Sequence, residues 1–191
     1  MADEIKRRLV HISGTGMPAF YLAGIFSWQD LQWFLLIGSS VAAILEVIRL
    51  SFGLDWWIYD KLTREYEQDN PAGYALYMFS LTIVVLLLEP DIAIPAMLML
   101  TLGDPISGVL GSDELRAIKR PRVLATMFTI CLLVAVPFLT LSASLLAAAA
   151  ATVADGVKPR VLGFVIDDNL SIPLSAGLVG WFGVTYLPAL A

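Results

Sequence analysis

The chain has very little cysteine, histidine and charge. Cys131 stands alone, so neither a disulfide framework nor a cysteine-rich zinc site can be built. His11 is the only histidine, which rules out a histidine-based metal cluster. Charged residues make up 15% of the chain and lysines number four, too few to coat a water-soluble domain of 191 residues. Strand-like alternation is absent, which disfavours a barrel. Gly103 to Gly108 has the glycine spacing of a phosphate-binding loop, but Val109-Leu110 follows where Lys-Ser/Thr is required. Gly14-Thr15-Gly16-Met17-Pro18-Ala19 imitates a dinucleotide fingerprint without a preceding strand. The last apolar run has no lysine for a retinal Schiff base, and neither an internal repeat nor a second domain is visible.

What the chain has is apolar length. Hydrophobic residues make up 58% and the mean hydropathy is +0.78. The apolar runs are about 17 to 20 residues, enough to cross a hydrocarbon core of about 30 Å as helix. The expectation is one all-α integral membrane domain over 1–191, with seven spans near 11–27, 31–51, 72–88, 91–111, 122–139, 141–157 and 170–189. The N-terminal run has no small-residue cleavage site after a clean apolar core, so it reads as a span and not a signal peptide. All 12 basic residues fall on alternate connections: Lys6, Arg7 and Arg8; Arg49, Lys61 and Arg64; Arg116, Lys119, Arg120 and Arg122; Lys158 and Arg160. Cytoplasmic loops retain positive charge, so the N-terminus is placed in the cytoplasm and the C-terminus outside, in a multi-pass protein of the cell membrane. The connection at 52–70 mixes Trp56, Trp57, Tyr59 and Tyr66 with charges, as a helix lying in the cytoplasmic interface would. A second cytoplasmic loop runs over 112–121. The net charge of -5 would suit a salt-rich cytoplasm, and Ala147 to Ala151 reads as a close helix-packing surface.

Polar residues in such a chain carry the functional signal, because the membrane makes them costly. Asp104, about two turns from the cytoplasmic end of the fourth span, costs roughly 2.5 to 3.5 kcal/mol to insert if ionised. A structural salt bridge would explain it. So would a site, since Gly108 and Gly111 follow at i+4 and i+7 and clear that face for a phosphate and its Mg²⁺. Asp155 closes the sixth span, and Asp167-Asp168-Asn169 opens the seventh on the same membrane side. Capping is the ordinary explanation for such residues, with Asn169 or Ser171 as N-cap ahead of Pro173. Carboxylates from several helices are also what Mg²⁺ prefers. The basic residues orient the protein and attract anionic lipid, and the same guanidinium and ammonium groups suit a triphosphate. Glu46 and Arg49, at i and i+3, read as a structural pair. His11 lies at a helix mouth near Arg7 and Arg8, where a packing role and a catalytic role are both open.

At these residues the chain resembles the CTP-dependent polyprenol kinases, the group of dolichol kinase, phytol kinase and CTP-dependent diacylglycerol kinase, which is related to the phosphatidate cytidylyltransferases. Glu4-Ile5-Lys6-Arg7-Arg8-Leu9-Val10-His11 resembles the family's opening Glu-x-x-Arg-Lys-x-x-His, with Arg8 where Lys is commoner. Arg64-Glu65-Tyr66-Glu67 followed by Gly73 is similar to its Arg-x-x-Glu loop. Gly103-Asp104-Pro105-Ile106-Ser107-Gly108-Val109-Leu110-Gly111 is similar to its Gly-Asp-x-x-Ala-x-x-x-Gly segment. Asp168-Asn169-Leu170-Ser171-Ile172-Pro173-Leu174 resembles its Asp-Asn-Leu-Thr-Ile-Pro-Leu signature, the most specific of the four. The family's longer basic stretch ending in Glu-Gly is absent after Gly111, and Asp155 stands where Glu is commoner.

The resemblance implies transfer of the γ-phosphate of CTP to the hydroxyl of an isoprenoid alcohol such as dolichol, with Mg²⁺ as cofactor and membrane lipids around the site. It implies Asp104, Asp168, Asn169 and His11 as catalytic residues. Arg7, Arg8, Arg64, Glu67, Gly108, Gly111 and Lys119 are implied around the nucleotide, and Asp104, Asp155 and Asp168 around the metal. A CDP-lipid synthase would use a similar acidic site. A small-molecule transporter would place its charges near the bilayer midplane on symmetric halves, which the sequence does not show. No nucleic acid partner is expected.

Overall fold

The computed structural model describes residues 2–52, 70–110, 118–157, 160–161 and 164–187. Arg64 and Glu67, most of the expected interfacial segment 52–70, and Gly111 with residues 112–117 of the second loop lie outside the described residues. The described chain is helical: α1 (Ala2–Ser13), α2 (Gly16–Leu22), α3 (Trp28–Phe52), α4 (Gly73–Leu87), α5 (Pro90–Leu98), a π-turn (Met99–Gly103), α6 (Asp104–Val109), α7 (Pro121–Ala135), α8 (Leu141–Gly156) and α9 (Asp168–Tyr186). A two-residue antiparallel ladder, β1 (Arg160–Val161) with β2 (Phe164–Val165), pairs Arg160 with Val165 and Val161 with Phe164. This small hairpin and an isolated bridge between Ile118 and Val157 are the additions to an all-α reading among the described residues.

Among the described residues two helices are long and apolar enough to cross a membrane, Trp28–Ser51 and Pro90–Val109. Gly73–Leu87, Pro121–Ala135 and Leu141–Gly156 are apolar but shorter. The first expected span, 11–27, is not one unbroken helix: Gly14 and Thr15 form a turn between α1 and α2, their amides donating to the His11 and Ile12 carbonyls. The seven residues of α2 cover only about 10 Å, and Gly24, at φ 71°, bends the chain again before α3.

The π-turn has a local cause. Pro105 has no N–H to donate to the carbonyl four residues back, and its ring crowds that carbonyl, so the helix widens just ahead of Asp104. Gly103 accommodates the widened turn. A Cβ there would stand 3.0 Å from the Met127 sulfur and 3.2 Å from Cys131 on α7.

The core is built around α9, which packs on α8, α4 and α5. Ala147, Ala148 and Ala151 of the alanine run are buried on α8, as is Ala143, and Ala147 and Ala143 come against Gly180 and Gly183 of α9. A Cβ on Gly183 would lie 2.8 Å from the Ala143 Cα, which only a backbone shift could relieve. Gly183→Ala is therefore expected to cost about 1 to 3 kcal/mol, lowering the thermal unfolding temperature in detergent. Gly16→Ala, where a Cβ meets nothing within 4 Å, serves as the comparator and should change it little.

On α3, Glu46 and Arg49 form the expected pair, both side chains less than a tenth exposed. Arg49 Nε and Nη2 donate to the two Glu46 oxygens at 3.0 and 2.8 Å. Arg49 also donates to the Asn70 carbonyl at 2.5 Å, and Glu46 accepts the Ala72 amide at 3.1 Å. The pair thereby fixes where α4 begins, and α4 in turn reaches the site described next.

Candidate active site

Three helix ends deliver carboxylates to one place. Asp104 opens α6 just past the π-turn, Asp155 lies in the last turn of α8, and Asp168 opens α9. One oxygen of each lies within 4.8 Å of the others. The Asp155 side chain is fully buried, whereas that of Asp104 is 21% exposed. This is the trio expected to hold a metal, and its members are 51 and 13 residues apart in sequence.

Lys119 enters the trio from the segment preceding α7. Its Nζ donates to Asp155 Oδ1 at 2.5 Å and lies 3.8 Å from Asp104 Oδ1. Its backbone is tied to the same helix end: Ile118 bridges Val157, and the Lys119 amide donates to the Gly156 carbonyl at 3.1 Å. Burial works against the ammonium. The fields of Asp104, Asp155 and Asp168, with the Asp155 hydrogen bond, outweigh it and hold the Lys119 pKa above the ordinary lysine value.

His11, in the last turn of α1, brings Nδ1 to 3.6 Å from Asp104 Oδ2. The Tyr77 hydroxyl on α4 donates to the His11 carbonyl at 3.2 Å, and the two rings meet edge to face with centroids 4.8 Å apart. A Cβ on Gly14 would collide with that hydroxyl, so the turn that breaks the first expected span also admits Tyr77. Tyr77 was not identifiable from the sequence, since 66 residues separate it from His11 and no local pattern joins them.

Arg8 lies on the glycine face: a Cβ on Gly108 would stand 3.3 Å from the Arg8 Cζ and Nη1. The face expected to admit a phosphate thus admits a guanidinium first, which is itself a phosphate ligand. Arg7 belongs to the same helix, α1.

The expected N-cap of α9 is corrected. Its side-chain amide donates to Asp167 Oδ1 at 2.7 Å and its backbone amide to the same oxygen at 2.9 Å, so Asp167 is the N-cap, in place of Asn169 or Ser171. A carboxylate that accepts both donors satisfies more of the helix start than either neutral side chain could. The Asn169 carbonyl accepts the Ser80 hydroxyl of α4 at 2.6 Å. Asn169 therefore holds the turn that presents Asp168.

The donors gathered here are all hard carboxylate oxygens. Asp155 Oδ2 has no hydrogen-bond partner among the described residues although it is buried. Both features suit Mg²⁺ better than a softer metal. A cleft of about 300 Å³ at the opposite end of the bundle is lined by Glu89, Asp91, Phe138 and Thr140 among others, with no basic residue among the described ones to receive a phosphate. No protein-family model, curated protein or solved structure matches the chain.

Proposed function

We propose that the protein is a multi-pass lipid kinase of the cell membrane, moving the γ-phosphoryl group of CTP to the hydroxyl of an isoprenoid alcohol. The observation carrying this reading is the meeting of Asp104, Asp155 and Asp168 within 4.8 Å, with Lys119, His11 and Arg8 around them. In this reading seven crossings put that end of the bundle in the cytoplasm, and the alternation of basic connections supports the orientation.

Loose phosphoryl-transfer transition states need positioning and charge neutralisation more than covalent help. Asp155 and Asp168, the buried pair, would hold Mg²⁺ together with Asp104, and the ion would neutralise phosphate charge when bound. Asp104 is the most exposed of the three and the one a lipid hydroxyl can reach. It orients that hydroxyl for in-line attack and takes up its proton, while His11 beside it holds the carboxyl group in position. The new bond joins the alcohol oxygen to the γ-phosphorus, the bond to the β–γ bridging oxygen breaks, and CDP leaves. Arg7, Arg8, Arg64 and Lys119 supply the positive charge that a triphosphate requires.

Purified protein in lipid nanodiscs, given CTP labelled at the α or γ position and a panel of lipid alcohols and lipid phosphates, tests the reading. Label from the γ position alone is expected on the alcohol. Label from the α position on a lipid phosphate, with release of pyrophosphate, would replace the kinase by a CDP-lipid synthase. No lipid product with any nucleotide would favour the transporter class. CTP is expected to outpace ATP at equal subsaturating concentration, because a site built to hydrogen-bond one base rejects another when its polar groups go unpaired. Equal initial rates would remove the donor assignment and leave the kinase.

A further inference from the structure

Three carboxylates with oxygens within 4.8 Å of one another repel one another, and a cation between them relieves that repulsion. Lys119 is that cation. Its ammonium bonds Asp155 and lies near Asp104, and its backbone is pinned to the α8 end by the Gly156 carbonyl and the Ile118–Val157 bridge. The position is therefore set by the fold and not by a freely moving surface chain. A divalent ion touching Asp104 and Asp155 would bring two positive charges into the space beside the ammonium, which repels them. The fully buried Asp155 also keeps Oδ2 without a hydrogen-bond partner among the described residues, so its charge is only half answered by Lys119.

We propose that Lys119 is a resident counter-cation which holds the aspartate site together without metal and is displaced from Asp155 when a divalent ion binds. Metal binding and the Lys119–Asp155 bond are then mutually exclusive, and the displaced ammonium remains tethered beside the site, within reach of a phosphate arriving with the ion. The inference rests on the three aspartates being a divalent-cation site, as the proposed function has them, and not on the identity of donor or acceptor.

The test uses Mn²⁺ alone, without nucleotide or lipid substrate, and direct binding by electron paramagnetic resonance on the full chain in detergent. Lys119→Met keeps the apolar stem and removes the charge. It is expected to bind Mn²⁺ at least about tenfold tighter than the wild type, since the competing cation is gone. Its unfolding temperature should fall in EDTA and recover with Mg²⁺, whereas the wild type should respond little. Equal Mn²⁺ affinity in the two proteins would overturn the exclusion and leave the metal site standing. No Mn²⁺ binding by either would overturn both. Should Lys119→Met not fold, the wild type supplies the second measurement: reductive methylation of Lys119, read by mass spectrometry, is expected to accelerate when Mg²⁺ is added. A rate independent of Mg²⁺ would overturn the displacement.

Discussion

Asp104→Asn is expected to reduce lipid phosphorylation by about a thousandfold or more while leaving the protein folded in the membrane. The substitution keeps the shape of the side chain and removes one of three carboxylate charges. It also removes the anion that faces His11 Nδ1 at 3.6 Å and Lys119 at 3.8 Å. Folding should survive because Asp104 is partly exposed and Lys119 keeps its stronger bond to Asp155. The measurement is single-turnover transfer from labelled CTP alongside a thermal unfolding curve. A mutant within about tenfold of wild type, a loss of only about 1.4 kcal/mol in transition-state stabilisation, would remove Asp104 from the reaction.

Arg49→Met is expected to be the most destabilising single change outside the site, at about 3 to 5 kcal/mol. The loss arises because Glu46 remains buried with its bidentate partner gone, while the Asn70 carbonyl loses a charged donor. The consequence extends to the aspartates. The same pair fixes the start of α4, and α4 carries Tyr77 to the His11 carbonyl and Ser80 to the Asn169 carbonyl. Unfolding in detergent of Arg49→Met, Glu46→Gln and the double variant gives the coupling directly. The double variant should recover part of the loss, since no unpaired charge is left behind. Single and double variants of equal stability to wild type would show that the pair is not needed to place α4.

Part of the candidate site was legible because carboxylates are sparse in so apolar a chain. Asp104 was readable from the cost of a carboxylate inside an apolar run, and Asp155 and Asp168 from their place at helix ends on the same side, with capping as the alternative. The Glu46–Arg49 pair was readable from its i, i+3 spacing, which a helix turns into contact. The packing role of the alanine run was readable from residue size alone.

Other features depended on how the helices meet. The sequence shows Lys119 as one of several basic residues in a loop, and only the approach of α8 to the segment before α7 makes it the cation between Asp155 and Asp104. The glycine face after Asp104 reads as open space, and the packing of α1 against α6 places Arg8 there. Apolar content suggests one crossing over 11–27, whereas Gly14 turns the chain so that Tyr77 can reach His11. Asn169 and Asp167 are equally good caps by residue type, and the geometry of the α9 start chose the carboxylate. By itself the sequence determined which residues are too polar for their apolar surroundings, because transfer cost and helical spacing are properties of a residue and its near neighbours. Which of them touch was decided by tertiary packing, because contacts between residues as far apart as 11 and 104, or 119 and 155, exist only once helix angles and registers are fixed.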